Sequence, residues 1–210
     1  MARRRFEALP RERQDEILRL AAEEFAAHGF QGTSYNQLLE RLQLGKSSAY
    51  YYFDDKRDLF LTVIERSYAA YYEAMDALER PKSAEQFWQF VEACSLAGFE
   101  VMLRDPTIAA LMQCMEREQG LLGELDSERV MQGQARYYRD MLLEGQRLGA
   151  VRCDLPLALL AESARGLASS FDRWFVLEWH KPEFVGLEAA AKMFTELARR
   201  LCAPPSNQGD

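Results

Sequence analysis

The chain has 210 residues, 48% of them hydrophobic and 28% charged, and a formal net charge of −7, which is ample for the core of one or two domains. No stretch approaches the ~20 apolar residues of a membrane span, and no apolar run follows the Met-Ala-Arg-Arg-Arg start, so neither membrane residence nor export is expected and the cytoplasm is the expected location. Four widely spaced cysteines, at 94, 114, 153 and 202, with only His28 and His180 as nitrogen ligands, argue against structural zinc and are read as reduced thiols.

The first elements predicted are helices. Pro10 opens a stretch in which Ile17, Ala21 and Phe25 recur on one face, and Gly29 closes it. Ser34 followed by Gln37 reads as a capping box, with Tyr35 to Leu42 as a helix of about two turns. Gln43 to Gly45 form a turn, and Lys46 to Phe53 a second short helix, on which Ala49 and Phe53 share the inward face and Ser47 and Tyr51 the outward one. Two short helices across a tight turn, braced by a longer one, follow the helix-turn-helix plan for reading a major groove. A helix start with Lys56 in its first turn comes next. A cation there opposes the helix dipole by roughly a few tenths of a kcal/mol, so an anion such as a DNA phosphate is the expected partner. Charge is divided accordingly: residues 1–57 carry ten Lys/Arg against nine Asp/Glu, and residues 58–210 sixteen against twenty-four. The basic groups gather at Arg3, Arg4, Arg5, Arg11 and Arg13, which suits either a solubilising tail or contact with phosphates.

Ile17, Ala21-Ala22, Phe25, Gly29-Phe30, Thr33-Ser34, Leu38, Tyr50, Phe53, Lys56 and Leu59 together make residues 11–60 resemble the TetR family of bacterial transcriptional repressors. The chain departs from that pattern with Gln43, Gly45 and Ala49; a left-handed Gln43 would cost on the order of 1 kcal/mol relative to Gly. The resemblance implies that Lys46, Ser47, Ser48 and Tyr51 meet base edges or phosphates, that Tyr50 and Tyr52 flank the groove, and that Tyr35 and Asn36 reach the same groove. Asn36 has the amide needed to pair bidentately with adenine. Three adjacent tyrosines also fit plain packing.

The remainder reads as helical near 56–79, 84–103, 107–118, 127–148, 156–179 and 183–202, with Ser83, Ser127 and Asp154 as caps or pre-helix residues. Aromatic and methionine side chains gather in its middle: Trp88, Phe99, Met102, Met112, Met115, Tyr137, Met141, Phe171 and Trp174. Such residues at helical spacing are mostly core, but in the resembled family this bundle houses an effector pocket, which a subset of them would line. Acidic Glu100, Glu116 and Asp172 lie close by in sequence and would favour a hydrophobic cation if one were left unpaired in that pocket.

Leu157, Leu160, Ala164, Leu167, Phe171 and Trp174 keep a strict three-four spacing, as do Phe184, Leu187, Ala191, Phe194, Ala198 and Leu201. Gly166, Ser169 and Ser170 add a small-residue face. A homodimer interface on these two helices is therefore expected, with Leu160, Gly166, Leu167, Ser170, Phe184, Leu187, Phe194 and Leu201 in it. The expected molecule is all-α, with a helix-turn-helix DNA-binding domain over 1–55 and a helical ligand-binding and dimerisation domain over 56–210. Its expected partners are a palindromic double-stranded operator and a small hydrophobic or aromatic effector, with no cofactor, metal or membrane. The rival readings, a small helical enzyme and a protein-binding helical adaptor, lack a nucleophile with its base, a metal-ligand spacing or a phosphate loop, and lack a use for the 44–56 stretch.

Overall fold

The computed structural model describes residues 4–105, 107–111, 113–114 and 124–205, and every regular element among them is helical. In chain order these are α1 (Arg4–Glu7), α2 (Arg11–Gly32), α3 (Tyr35–Arg41), α4 (Lys46–Tyr52), α5 (Lys56–Asp76), α6 (Ala84–Arg104), α7 (Glu124–Arg147), α8 (Leu157–Glu178) and α9 (Leu187–Cys202). Residues 107–111 are also helical. The chain forms two compact units: residues 1–70 with 104–130, and residues 71–103 with 131–210. The boundary expected after residue 55 marks the end of the helix-turn-helix, whereas packing divides the chain inside α5. Leu59, Phe60, Val63 and Ile64 of α5, with Leu111 and Cys114, complete the first unit's core.

In that unit the predicted face of α2 is fully buried at Ile17, Ala21 and Phe25. Phe25 and Phe30 pack on Phe60 with ring centroids 4.9 and 5.2 Å away. Gly29 breaks α2 with φ 72°, a left-handed value that glycine adopts without a Cβ clash. The capping box expected at Ser34 does not form: Ser34 holds the N-cap position of α3 without a side-chain hydrogen bond. A reciprocal pair of that kind lies instead at α5, where the Asp58 amide donates to Asp55 Oδ1 at 2.8 Å and the Asp54 amide donates to Asp58 Oδ2 at 3.1 Å. A carboxylate suits a helix N-terminus better than a hydroxyl, because it also answers the dipole.

The second unit packs Phe87, Trp88 and Val91 of α6 with Leu142 of α7, Leu160 and Ala161 of α8, and Ala198 and Cys202 of α9. Phe99 stacks on Phe175 at 4.3 Å with the planes 12° apart. Ser83 caps α6 as expected, accepting from the Gln86 amide at 3.2 Å. Asp154 precedes α8 without capping it: it holds Arg152 in an ion pair of 2.6 Å, and Pro156 takes the N-cap position. The last helix, expected from 183, begins at Leu187, because Gly186 with φ 89° occupies its N-cap.

The two three-four stripes face one another rather than outward. Leu160 is buried, and Leu167, Phe194 and Leu201 pack on this unit's own core. Phe184 lies outside α9 with its ring 6.0 Å from Trp174 and 5.7 Å from Phe175, and Leu187 is half-buried. α8 and α9 are packed neighbours, so their strict stripes close the seam between them. What remains exposed is the adjacent face, with Leu159 and Leu177 on α8, Val185 before α9, and Met193 and Leu197 on α9. Gly166 and Ser170 belong to that open side: a methyl group at Gly166 would meet nothing within 4 Å, and Ser170 is exposed.

Candidate nucleic-acid interface and ligand cleft

α3 and α4 are too short to be stable alone, so their placement depends on side chains that anchor them. Arg41 at the end of α3 bridges Glu23 and Glu24 of α2, both at 2.6 Å. Arg13 Nη2 donates to the Leu42 carbonyl at 2.8 Å, where the last carbonyls of α3 carry partial negative charge. Two of the expected tail or phosphate arginines thus have particular tasks, since Arg5 lies 3.6 Å from the Tyr51 ring centroid in a cation–π contact. Arg4 and Arg11 are exposed, and Arg3 lies outside the described residues. Under α4, Ala49 and Phe53 are fully buried. Phe6 of α1 packs on Phe53 at 4.8 Å and on Tyr52 at 6.2 Å. The sequence reading missed this support. Its signal is a single aromatic residue inside an otherwise charged N-terminal stretch.

The turn between α3 and α4 turns on Gln43, whose φ of 53° is the left-handed value its departure from glycine made costly. Beyond it, Lys46, Ser47, Ser48, Tyr50 and Tyr51 all stand on the exposed side of α4, and Asn36 is exposed at the start of α3. Tyr50 and Tyr51 are 53% and 46% exposed, unusual for large rings on a helix that buries its other side. Tyr35 and Tyr52 differ: both pack against the first unit's core. Burial pushes the Tyr35 phenol up to about 12, with Tyr50 as the next contribution, and its buried oxygen has no protein hydrogen-bond partner among the described residues.

Lys56 is placed otherwise than its dipole argument suggested. Its Nζ donates to the carbonyls of Phe30 and Thr33 at 2.7 and 2.8 Å and lies 4.5 Å from the Phe30 ring centroid. The opposing dipole of α5 is offset by carbonyls at the end of α2, whose sign is the reverse. Lys56 therefore ties α2 to α5 behind the exposed surface.

In the second unit an open cleft of about 570 Å³ is lined by Tyr72 and Asp76 of α5, Arg80, Phe87 and Phe90, and the α7 face from Gly133 to Glu144. Of the expected ligand residues, Tyr137 and Met141 lie on it. Phe99 lines a separate, smaller cavity, to which Tyr137 and Met141 also contribute. Trp88 is core, within 5.1 Å of Phe87, and Met102 is buried. Phe171 and Trp174 meet edge to face with ring centroids 4.9 Å apart. Met112 and Met115 lie outside the described residues. The sequence reading missed Asp76, Arg80, Arg136, Asp140 and Glu144, although Arg136, Tyr137, Asp140, Met141 and Glu144 recur every three or four residues along α7. Burial pushes the Cys94 thiol up to about 12, which suppresses its thiolate.

Residues 17–63 match the family model for bacterial regulatory proteins of the tetR family. Over 149 residues the chain is 25% identical to the HTH-type transcriptional repressor NicS of Pseudomonas putida, covering 68% of this chain and 67% of that protein. A TetR-family transcription regulator from Shewanella sp. PV-4 superposes with a TM-score of 0.73 at 18% identity, over 92% of this chain and 99% of the other. The regulator FadR from Bacillus subtilis, solved in complex with stearoyl-CoA, superposes with a TM-score of 0.70 at 19% identity, over 87% and 96%. At these identities the structural likeness speaks for the fold.

Proposed function

The chain belongs, through its residues 17–63, to the TetR family of bacterial regulatory proteins, and on that premise we propose that it is a homodimeric repressor released from a palindromic operator by a small effector. The observation that carries this reading is the exposed face of α4. Lys46, Ser47, Ser48, Tyr50 and Tyr51 project there with Asn36 of α3 beside them, above a fully buried Ala49 and Phe53. Asn36, Ser47 and Tyr51 are assigned to base edges, and Lys46, Ser48 and Tyr50 to phosphates and groove walls. Tyr35, Tyr52 and Lys56 hold that face in position. Two such units would enter successive major grooves about 34 Å apart, which calls for a two-fold operator.

The exposed apolar face of α8 and α9 suits a second copy of the chain, with Gly166 and Ser170 permitting close helix crossing. The cleft is within the ~300–1,000 Å³ range of small-molecule sites. α5 provides the coupling route, since Lys56 ties its start to the helix-turn-helix unit and Tyr72 and Asp76 line the cleft. An effector favouring a conformer with the wrong recognition-helix spacing lowers DNA affinity by the coupling free energy. The name of NicS supports repression, and FadR is a protein of this fold with a small-molecule ligand. Such a regulator works where the DNA is, in the cytoplasm; among the described residues no helix is long and apolar enough to cross a membrane. Fluorescence anisotropy against fragments flanking the protein's own gene, at several salt concentrations, tests the proposal. Sequence-selective binding that weakens with salt is expected; equal affinity for random DNA would reject it.

A further inference from the structure

A basic segment ahead of the first long helix is ordinarily loose, since few contacts tie down a terminus. Here α1 is fastened on two sides. Phe6 is 2% exposed and packs on Phe53 and Tyr52 at α4, with ring centroids 4.8 and 6.2 Å away. The buried Gln14 of α2 donates through Nε2 to the Glu7 carbonyl at 3.0 Å and the Leu9 carbonyl at 2.8 Å, which fixes the exit from α1. Arg5, between these anchors and the N-terminus, is therefore carried by folded backbone.

The Arg5 side chain is exposed, and its Cζ lies 3.6 Å from the centroid of the Tyr51 ring. A guanidinium over a ring face is attracted by the negative face of the ring, and its N–H edges stay available to a second partner. Tyr51 meets Tyr52 edge to face at 5.7 Å, and Tyr52 meets Phe6 in the same way, so a line of rings runs from the core to Arg5. Arg5 reaches Tyr51 from α1 and not from α4, which places it at the flank of the exposed surface that Lys46, Ser47, Ser48, Tyr50 and Tyr51 form. When α4 fills a major groove, that flank faces the sugar-phosphate wall. The planar fork of an arginine matches two oxygens of a phosphate, and holding it on a ring beforehand lowers the entropy lost on contact.

We infer that Arg5 is a DNA-contacting residue, held on the Tyr51 ring so that it grips one backbone phosphate beside the recognition helix. That DNA is the partner rests on the regulator reading above. Fluorescence anisotropy of the full chain, with fragments flanking its own gene and with random duplex of equal length, gives the salt slope of binding for each variant. Arg5→Gln, Arg4→Gln, Tyr51→Leu and the Arg5→Gln, Tyr51→Leu double variant are compared, with circular dichroism confirming that each folds. Arg5→Gln reduces the slope by about 1 on both kinds of DNA and weakens both alike. Arg4→Gln, which removes the same charge from the neighbouring exposed residue, changes the slope by less than half as much. In the Tyr51→Leu background Arg5→Gln changes the slope no further, because a guanidinium without its ring is no longer held at the phosphate. An unchanged slope in a folded Arg5→Gln protein overturns the inference. So does an equal loss in Arg4→Gln, the mark of a diffuse basic field, and so does a full loss that persists with Tyr51→Leu, the mark of a loose tail. In each of these cases a preference of the unmodified chain for the flanking fragments leaves the regulator reading standing. Equal affinity for the two kinds of DNA rejects the regulator reading instead, while the slopes on random duplex still decide for or against Arg5.

Discussion

Gln43 carries a left-handed backbone, φ 53°, at the turn that sets the angle between α3 and α4. A Cβ in that region crowds its own carbonyl, so Gln43→Gly raises stability by about 0.5–1 kcal/mol, read as an upward shift of the urea midpoint; a lower midpoint would show that the Gln43 side chain contributes more than its backbone costs. Lys56 gives the opposite case. Two charge-assisted hydrogen bonds to the Phe30 and Thr33 carbonyls hold α2 against the start of α5, so Lys56→Met lowers stability by about 2 kcal/mol. Its salt slope for DNA binding stays where it was. A slope reduced by about 1 with unchanged stability would return Lys56 to phosphate contact. The residue was legible as important, but its partner was not, because the carbonyls lie 26 and 23 residues away in the chain.

Among the elements, α4 and the start of α3 form the reading surface. Asn36→Ala and Tyr51→Ala are expected to relax sequence preference, each losing about 1–3 kcal/mol of discrimination, measured by anisotropy across operator variants. Uniform weakening across all variants would make both backbone contacts. At Gly145, α7 meets α6 and the segment that follows α7, and a methyl group there would overlap Val151 Cγ2 and stand 2.7 Å from Phe87 Cζ. Gly145→Ala therefore costs about 1–3 kcal/mol by overpacking. Gly133 on the same helix has nothing within 4 Å of that position, so Gly133→Ala gains roughly 0.5–1 kcal/mol from helix propensity alone. Thermal melts of the two variants should move in opposite directions; a shared direction would count against the packing at Gly145.

For the whole molecule, the assembly prediction moves from the inward stripe to the face beside it. Met193→Glu and Leu197→Glu introduce charge on exposed positions of α9, and light scattering is expected to report monomers that keep their melting temperature but bind the operator at least tenfold more weakly. Phe194→Glu acts on packing instead, since that ring lies 5.5 Å from Phe171. It lowers the melting temperature by burying an unpaired charge. Dimers persisting in both surface variants would place the interface on another face.

Local patterns in the sequence determined a good deal by themselves. Periodicity, proline, glycine and serine signals located the helices to within a few residues, because helix formation and termination are decided by neighbours in the chain. The burial of Ile17, Ala21, Phe25, Ala49 and Phe53 was legible for the same reason, whereas the left-handed turn at Gln43 was suggested only by the glycine that the resembled family has there. Tertiary structure alone decided the rest. Whether a three-four stripe faces a neighbour in the same unit or a second copy depends on which helix packs against it, and periodicity is identical in both cases. Phe6 beneath α4, the carbonyls that receive Lys56, and Arg5 over the Tyr51 ring are likewise contacts between distant segments, set by how separate helices pack and not by the order of residues along any one of them.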